Sequence, residues 1–373
     1  MPSPPRADGS RVAVGVTVMA HPRRAEAAEA LAERLGDATG IVYDPKPDGP
    51  PNPLRTALAA WSRCPDGTTH HLVVQDDVEP VPSLPAAAER AARRFPDAVL
   101  SLYANSVSSN GAASRVALLA GYTWVVAAAD EYFPTLAVIA PCEVAHAFTA
   151  WCRTRPDPGS RGDDERLAEF LAPNGHPALL RVPNLVDHRE LPSLAGNDHH
   201  GLRRSVCFAD PAGRYRENGA EPVLWHPPNR PMFVLGESLL CDPVEGPLDR
   251  QAHLARVGVT WEQVMGMARE LSPLPTPLPG RAPRALRFLR ELCLACHTLG
   301  WAVAAAGPGP DGVLPDDATR DAALLSYLES GLDGDAQGEL WTPHLATLMR
   351  FARHLYARGL TAVHEGVPAV PLP

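Results

Sequence analysis

Apolar and polar positions alternate in short blocks through the first half of the chain. Val12–Met19 (VAVGVTVM) is a β-branched run of strand length, and Ala25–Leu35 (AEAAEALAERL) has helical periodicity ended by Gly36. Ile41–Tyr43 reads as a short second strand, Leu54–Ser62 as a helix, and His70–Val74 (HHLVV) as a third strand. This βαβαβ order predicts a mainly parallel sheet with helices on its faces. Leu84–Arg94 then reads as a helix and Ala98–Tyr103 as a strand, followed by short apolar runs at Tyr122–Ala127 and Leu136–Ile139. Pro141–Arg153 and Arg166–Leu171 read as helices, and Leu179–Val182 as the last strand.

Beyond about residue 225 the period changes, and the segments Trp261–Leu271, Ala285–Ala306, Ala318–Leu328 and Pro343–Leu355 carry helical spacing only. Ala285–Ala306 is apolar nearly all round, as the central helix of a bundle would be. The expected architecture is a disordered stretch over residues 1–10, an α/β domain over 11–225 and an α-helical domain over 226–373. The role of the helical domain stays open; dimerisation, partner docking and acceptor binding all suit it.

A length of 373 residues agrees with two domains. The formal net charge of −9 argues against non-specific nucleic-acid binding, which needs a basic face to release counterions. The opening MPSPPRADGSR has no apolar signal region, and no run reaches the ~18–20 apolar residues that span a bilayer. A cytoplasmic protein with no membrane span is the expectation. The 7 cysteines are odd in number and scattered, so free thiols are expected rather than a disulfide framework.

The third strand ends abruptly in Gln75-Asp76-Asp77, with Glu79 two residues further on. In open α/β sheets, ligands bind beyond the carboxyl ends of the strands. Adjacent carboxylates there repel one another unless something cationic neutralises them. A hard divalent ion, Mn²⁺ or Mg²⁺, held together with a diphosphate would do so. A turn in which an Asp bonds its local backbone is the plainer alternative.

Four pieces in order resemble the nucleotide-sugar glycosyltransferases of the GT-A fold, over about residues 11–210. They are VAVGVTVMAHPRR, NPLRTALAAW, LVVQDDVEP and RGDDERLAEFL followed by VPNLVDH. LVVQDDVEP is similar to that family's Asp-x-Asp motif, except that Gln75 stands in the first acidic position. The resemblance implies transfer of a sugar from a nucleotide-diphosphate donor, a uridine diphosphate sugar by preference, to a small-molecule, glycan or peptide hydroxyl acceptor, with inversion. It implies metal contacts at Asp77 and His188, with His199 and His200 as competitors for the latter role. It places His21, Arg23, Gln75 and Asp76 at the nucleotide sugar and leaves Glu79 facing solvent. It assigns the general base to Asp164 or Asp163, with Asp164 ranked first, although acids in the first turn of a helix are also ordinary helix-start chemistry. Arg55, Arg203 and Arg204 are candidate phosphate contacts, the last two within SLAGNDHHGLRR, which is expected to close over the donor.

Two motifs are set aside. Cys293-Leu-Ala-Cys296-His297 fits a haem attachment pattern but lies inside an apolar helix, where Cys packs as a small hydrophobe. Gly307–Gly312 spells GxGxxG after a helix, with prolines removing amide donors. The rival readings are a sugar nucleotidyltransferase, whose Gly-rich Lys-containing loop has no counterpart after the first strand, and a non-catalytic partner-binding protein.

Overall fold

The computed structural model describes residues 12–155, 162–189, 191–192, 194, 203–209, 221–270, 282–332 and 342–362. The N-terminal stretch expected to be disordered, most of SLAGNDHHGLRR, and His199 and His200 lie outside the described residues. The chain is α/β, with a large, mostly parallel mixed sheet flanked by helices and a helical C-terminal region. Its described residues cluster into two units. The first takes residues up to Ala104, then 126–194 and 208–209; the second takes 105–125, 203–207 and everything from Glu221.

In the first unit, β1 (Val14–Ala20), α1 (Ala25–Leu35), β2 (Gly40–Tyr43), α2 (Pro53–Trp61) and β3 (His70–Gln75) follow the expected βαβαβ order. After them come β4 (Val78–Pro80), α3 (Leu84–Arg94) and β5 (Val99–Ser101). The unit closes with β7 (Ala137–Pro141), α5 (Cys142–Arg153), α6 (Asp163–Leu171), β8 (Ala178–Arg181) and β9 (Val186–His188). Its main-sheet strands lie in the order β8-β5-β7-β3-β1-β2. β2 and β3 both run parallel to β1, on opposite sides of it, while β7 is antiparallel to β3 and β5. The order therefore reverses at β1, and the carboxyl ends of β1 and β3 flank a topological switch point, where open α/β sheets bind ligands.

β3 is buried from His70 to Val74, and each of its two histidines makes a polar contact inside through Nε2. His70 Nε2 lies 3.0 Å from the Pro96 carbonyl, and His71 Nε2 lies 2.8 Å from Thr17 Oγ1 on β1. Burial pushes His71 down to about 4, so it is neutral at physiological pH. α2 starts where Asn52 Oδ1 accepts from the Arg55 amide at 2.9 Å ahead of Pro53, and it buries Leu54, Ala57 and Trp61. Cys64, after α2, and Cys142, at the start of α5, form a disulfide with their Cα atoms 5.9 Å apart. This corrects the expectation of free thiols: a contact made across 78 residues leaves no mark in local spacing. The other five cysteines are buried and form no disulfide.

The second unit contains α4 (Ser109–Leu119), Trp124 and Val125 of β6 (Trp124–Val126) paired parallel with β10 (Val223–Leu224), and the antiparallel strands β11 (Arg230–Val234), β12 (Glu237–Asp242) and β13 (Gly246–Pro247). Its helices are α7 (Arg250–Arg256), α8 (Trp261–Glu270), α9 (Ala282–Ala306), α10 (Asp317–Leu332) and α11 (Leu345–Ala362). α9 and α11 approach closely at two glycines. A Cβ at Gly300 would meet the Tyr356 carbonyl, and one at Gly359 the His297 carbonyl.

The three-stranded sheet departs from the helical period expected after residue 225. Along β12 Ser238, Leu240, Cys241 and Asp242 are buried and Glu237 and Leu239 exposed, so polar and apolar residues fall on both sides and the apolar alternation that marks a strand is absent. Its hairpin turn holds Leu235 at φ 51° and Gly236 at φ 75°. α4 was not expected either. Asn110–Leu119 is buried all round, which removes the amphipathic stripe. From α4, Arg115 points into the interior of this unit, donating from Nε to the Ala323 carbonyl at 3.1 Å and standing 4.9 Å from the Tyr327 ring centroid. No helix among the described residues is long and apolar enough to cross a membrane.

Candidate functional site

The chain leaving β1 turns through a single 3-10 turn, Pro22–Arg24, capped by His21 Nδ1, which accepts from the Arg23 amide at 3.1 Å. The turn directs Arg24 toward the end of β3. Arg24 Nη1 donates to Asp76 Oδ1 and to Asp77 Oδ2, each at 2.9 Å, and Nη2 donates to the Pro192 carbonyl at 2.7 Å. The His21 amide donates to Asp76 Oδ2 at 3.0 Å. β9 pairs antiparallel with β4, setting His188 opposite Val78. That brings His188 Nε2 within 3.5 Å of Asp77 Oδ2. Asp76, Asp77 and His188 are all buried. Burial raises the Asp76 pKa, with the His21 amide opposing it, so a proton is held there more tightly than on a free carboxyl.

The second acidic pair lies at the start of α6. Leu167, Phe170 and Leu171 bury one face of this helix, and Phe170 packs on Phe148 of α5 with ring centroids 5.6 Å apart. Asp164 Oδ1 accepts from the Glu165 amide at 2.8 Å, and a Cβ at Gly162 would collide with that carboxylate. Asp163 turns inward and is only 4% exposed. It accepts a hydrogen bond from the Thr135 side chain, while its Oδ2 has no hydrogen-bond partner. Burial first, and the Asp164 charge next, push the Asp163 carboxyl up to about 7. Gln75 Nε2 stands 3.4 Å from both the hydroxyl and the carbonyl oxygen of Thr135. Thr135 thus links the end of β3 to Asp163.

The other sequence candidates are placed elsewhere. Arg55 grips Asp44 with Nε and Nη2, each at 2.7 Å, and this pairing is the main reason the Asp44 carboxyl sits below its ordinary range. Arg23 is exposed. Glu79 pairs with Arg34 at the surface. Arg203 and Arg204 belong to the second unit, where Arg204 Nη1 lies 3.9 Å from Glu329.

A divalent ion needs oxygen or imidazole donors with unengaged lone pairs. Asp76, Asp77 and His188 offer the right oxygen and imidazole chemistry, and Asp77 Oδ1 has no hydrogen-bond partner. The other three carboxylate oxygens are engaged by Arg24 or by the His21 amide. Among the described residues no group of three or more His, Cys, Asp or Glu side chains is disposed to hold a metal ion. The residues as arranged do not fit Mn²⁺ or Mg²⁺.

Arg24 is the residue that sequence reasoning missed. The neighbouring Arg23 and His21 were named, but which of two adjacent arginines enters the crevice depends on the 3-10 turn. No protein-family model matches the chain, and no curated protein matches it at a significant level.

Proposed function

We propose that the chain transfers a sugar from a nucleotide-diphosphate donor, a uridine diphosphate sugar by preference, to a hydroxyl acceptor, with Asp163 as general base. The observation that carries this reading is Asp163 itself. It is an inward carboxyl, joined through Thr135 to the end of β3, and its pKa is raised to about 7. A base is most effective when its pKa lies near the working pH, because it is then both ionised and able to hold a proton. The resemblance to GT-A glycosyltransferases supplies the reaction; the acid at this place in the chain supplies the role.

The chemistry balances as a single displacement. The acceptor oxygen attacks the anomeric carbon while its proton passes to the Asp163 carboxylate. The bond from that carbon to the diphosphate breaks, and the leaving nucleoside diphosphate keeps the electron pair. One base and one displacement give inversion at the anomeric carbon. Thr135 orients Asp163 through its hydroxyl. Gln75, near the same Thr135, directly precedes Asp76 and suits a donor hydroxyl.

The test is a thermal-shift screen of nucleoside diphosphates and their sugar conjugates, followed by turnover. One nucleotide family should stabilise the chain; a ligand at 100 times its Kd adds ~2.7 kcal/mol. Asp163→Asn should keep that stabilisation and lose transfer. If no diphosphate stabilises the protein, with or without Mn²⁺, the reading fails.

A further inference from the structure

We infer that Arg24 is the resident cation of the donor site and closes the Asp76–Asp77–His188 position to divalent metal. The inference takes its mechanistic meaning from the transferase reading, but its geometry stands apart from it.

The guanidinium is fixed at three points. Nη1 is shared between the two carboxylates, one oxygen from each at 2.9 Å, and Nη2 is anchored on the Pro192 carbonyl at 2.7 Å. The arginine is 14% exposed at its side chain and the two acids 9% and 11%, so the cluster is screened from solvent on both sides of the charge. Asp77 Oδ2 is the oxygen closest to His188 Nε2, at 3.5 Å, and therefore the oxygen a metal bridging these two residues would use. It is also the oxygen that Arg24 holds. A metal ion binds carboxylate oxygen at about 2.0–2.2 Å. An ion at that distance would stand in the space of Nη1 and face its positive charge. Arg24 would have to leave, giving up all three contacts, before the ion could enter.

The backbone supports the arginine rather than the metal. Pro22 fixes the first residue of the 3-10 turn, and the His21 amide ties the turn to Asp76 Oδ2. That bond occupies a further oxygen a metal would need. The negative charge at the end of β3 is thus answered from within the chain, across 52 and 53 residues of sequence. Donor binding at this site then proceeds without a divalent ion, and chelators leave it unchanged.

Mn²⁺ titration of the full-length chain, read by electron paramagnetic resonance, tests this directly. The wild-type protein should show no bound Mn²⁺ at concentrations where Arg24→Ala binds one equivalent. Adding Asp77→Asn to Arg24→Ala should remove that equivalent. One tight equivalent on the wild-type protein, abolished by Asp77→Asn, would overturn the inference, and this arm does not depend on the Arg24 variant folding. No binding to a folded Arg24→Ala protein would also overturn it, because the carboxylates would then not be a cation position. A parallel titration of nucleoside diphosphates in excess chelator separates this inference from the transferase reading. Binding in chelator supports both, and binding only with Mn²⁺ overturns the inference alone. Failure to bind in either buffer removes the transferase reading and leaves the manganese result to be judged by itself.

Discussion

Asp76-Asp77 and Asp163-Asp164 are the same dipeptide in the same unit, and each has at least one carboxyl turned into the protein. At the end of β3 the charge is met by a guanidinium delivered from the turn after β1. At the start of α6 one acid stays at its helix end and accepts from the Glu165 amide, while the other is pushed toward its neutral form. One pair is closed by a cation and the other by a proton. The difference lies in what the fold brings across the gap. A pair that holds a permanent cation is already neutralised, whereas an acid that takes up and releases a proton near neutrality can act as a base.

The largest expected effect falls on the proton-holding pair. Asp163→Asn should lower kcat by about 10²–10⁴-fold, the range for removing a general base, with donor binding retained in calorimetry. Retained turnover would reduce Asp163 to a structural acid. Stability gives a second reading of the same group. Its folded pKa is about 7 against an ordinary 3.8, so between these values the folded chain holds a proton that the unfolded chain has released. Stability should therefore fall as pH rises from about 4 to about 7, by up to about 4 kcal/mol, and stay low above that. Asp163→Asn should flatten this part of a urea-midpoint profile. A wild-type profile already flat there would show that the acid is ionised throughout.

The cation-closed pair should break differently. Arg24→Ala leaves two largely buried carboxylates without the guanidinium that faces them, which costs about 3 kcal/mol. Asp76→Asn in that background should recover part of the loss, since only one carboxylate then remains uncompensated. Denaturation midpoints of the two single variants and the double variant give the coupling. Additive effects would mean that the arginine and the acid are not partners in solution.

How much of this was legible follows from the range of each signal. Helical period and a glycine stop placed Ala25–Leu35, and a proline at its start placed Pro141–Arg153, observed as Cys142–Arg153 with Pro141 at the N-cap, because both helices carry their own boundaries. The buried run of β3 and its acidic end were visible as a break in polarity. Arg24 was not, because one arginine among 34 basic residues gains meaning only through a contact 52 residues away. Arg55 shows the same limit from the other side. Its charge suggested phosphate, but only the folded loop shows that Asp44 holds it. The buried helix α4 and the strand β12 escaped because neither has a polar face where one was sought. The inward turn of Asp163 rather than Asp164 rests on the Gly162 backbone, whose missing Cβ leaves room for the Asp164 carboxylate.

The smallest effect is the most discriminating. Asp164→Asn keeps an oxygen able to accept from the Glu165 amide, so stability well below pH 7 should change by no more than about 0.5 kcal/mol. It removes the second cause of the raised Asp163 pKa and leaves the first, which is burial. The pH midpoint of activity should therefore move to lower pH without reaching the ordinary carboxylate range. Carbon-13 titration of the Asp163 side chain would follow the same shift without a substrate. A midpoint that stays in place would mean that burial alone holds the proton. Asp164 would then be no more than a helix-end residue, and the two pairs would differ in depth alone rather than in how neighbouring charges are arranged.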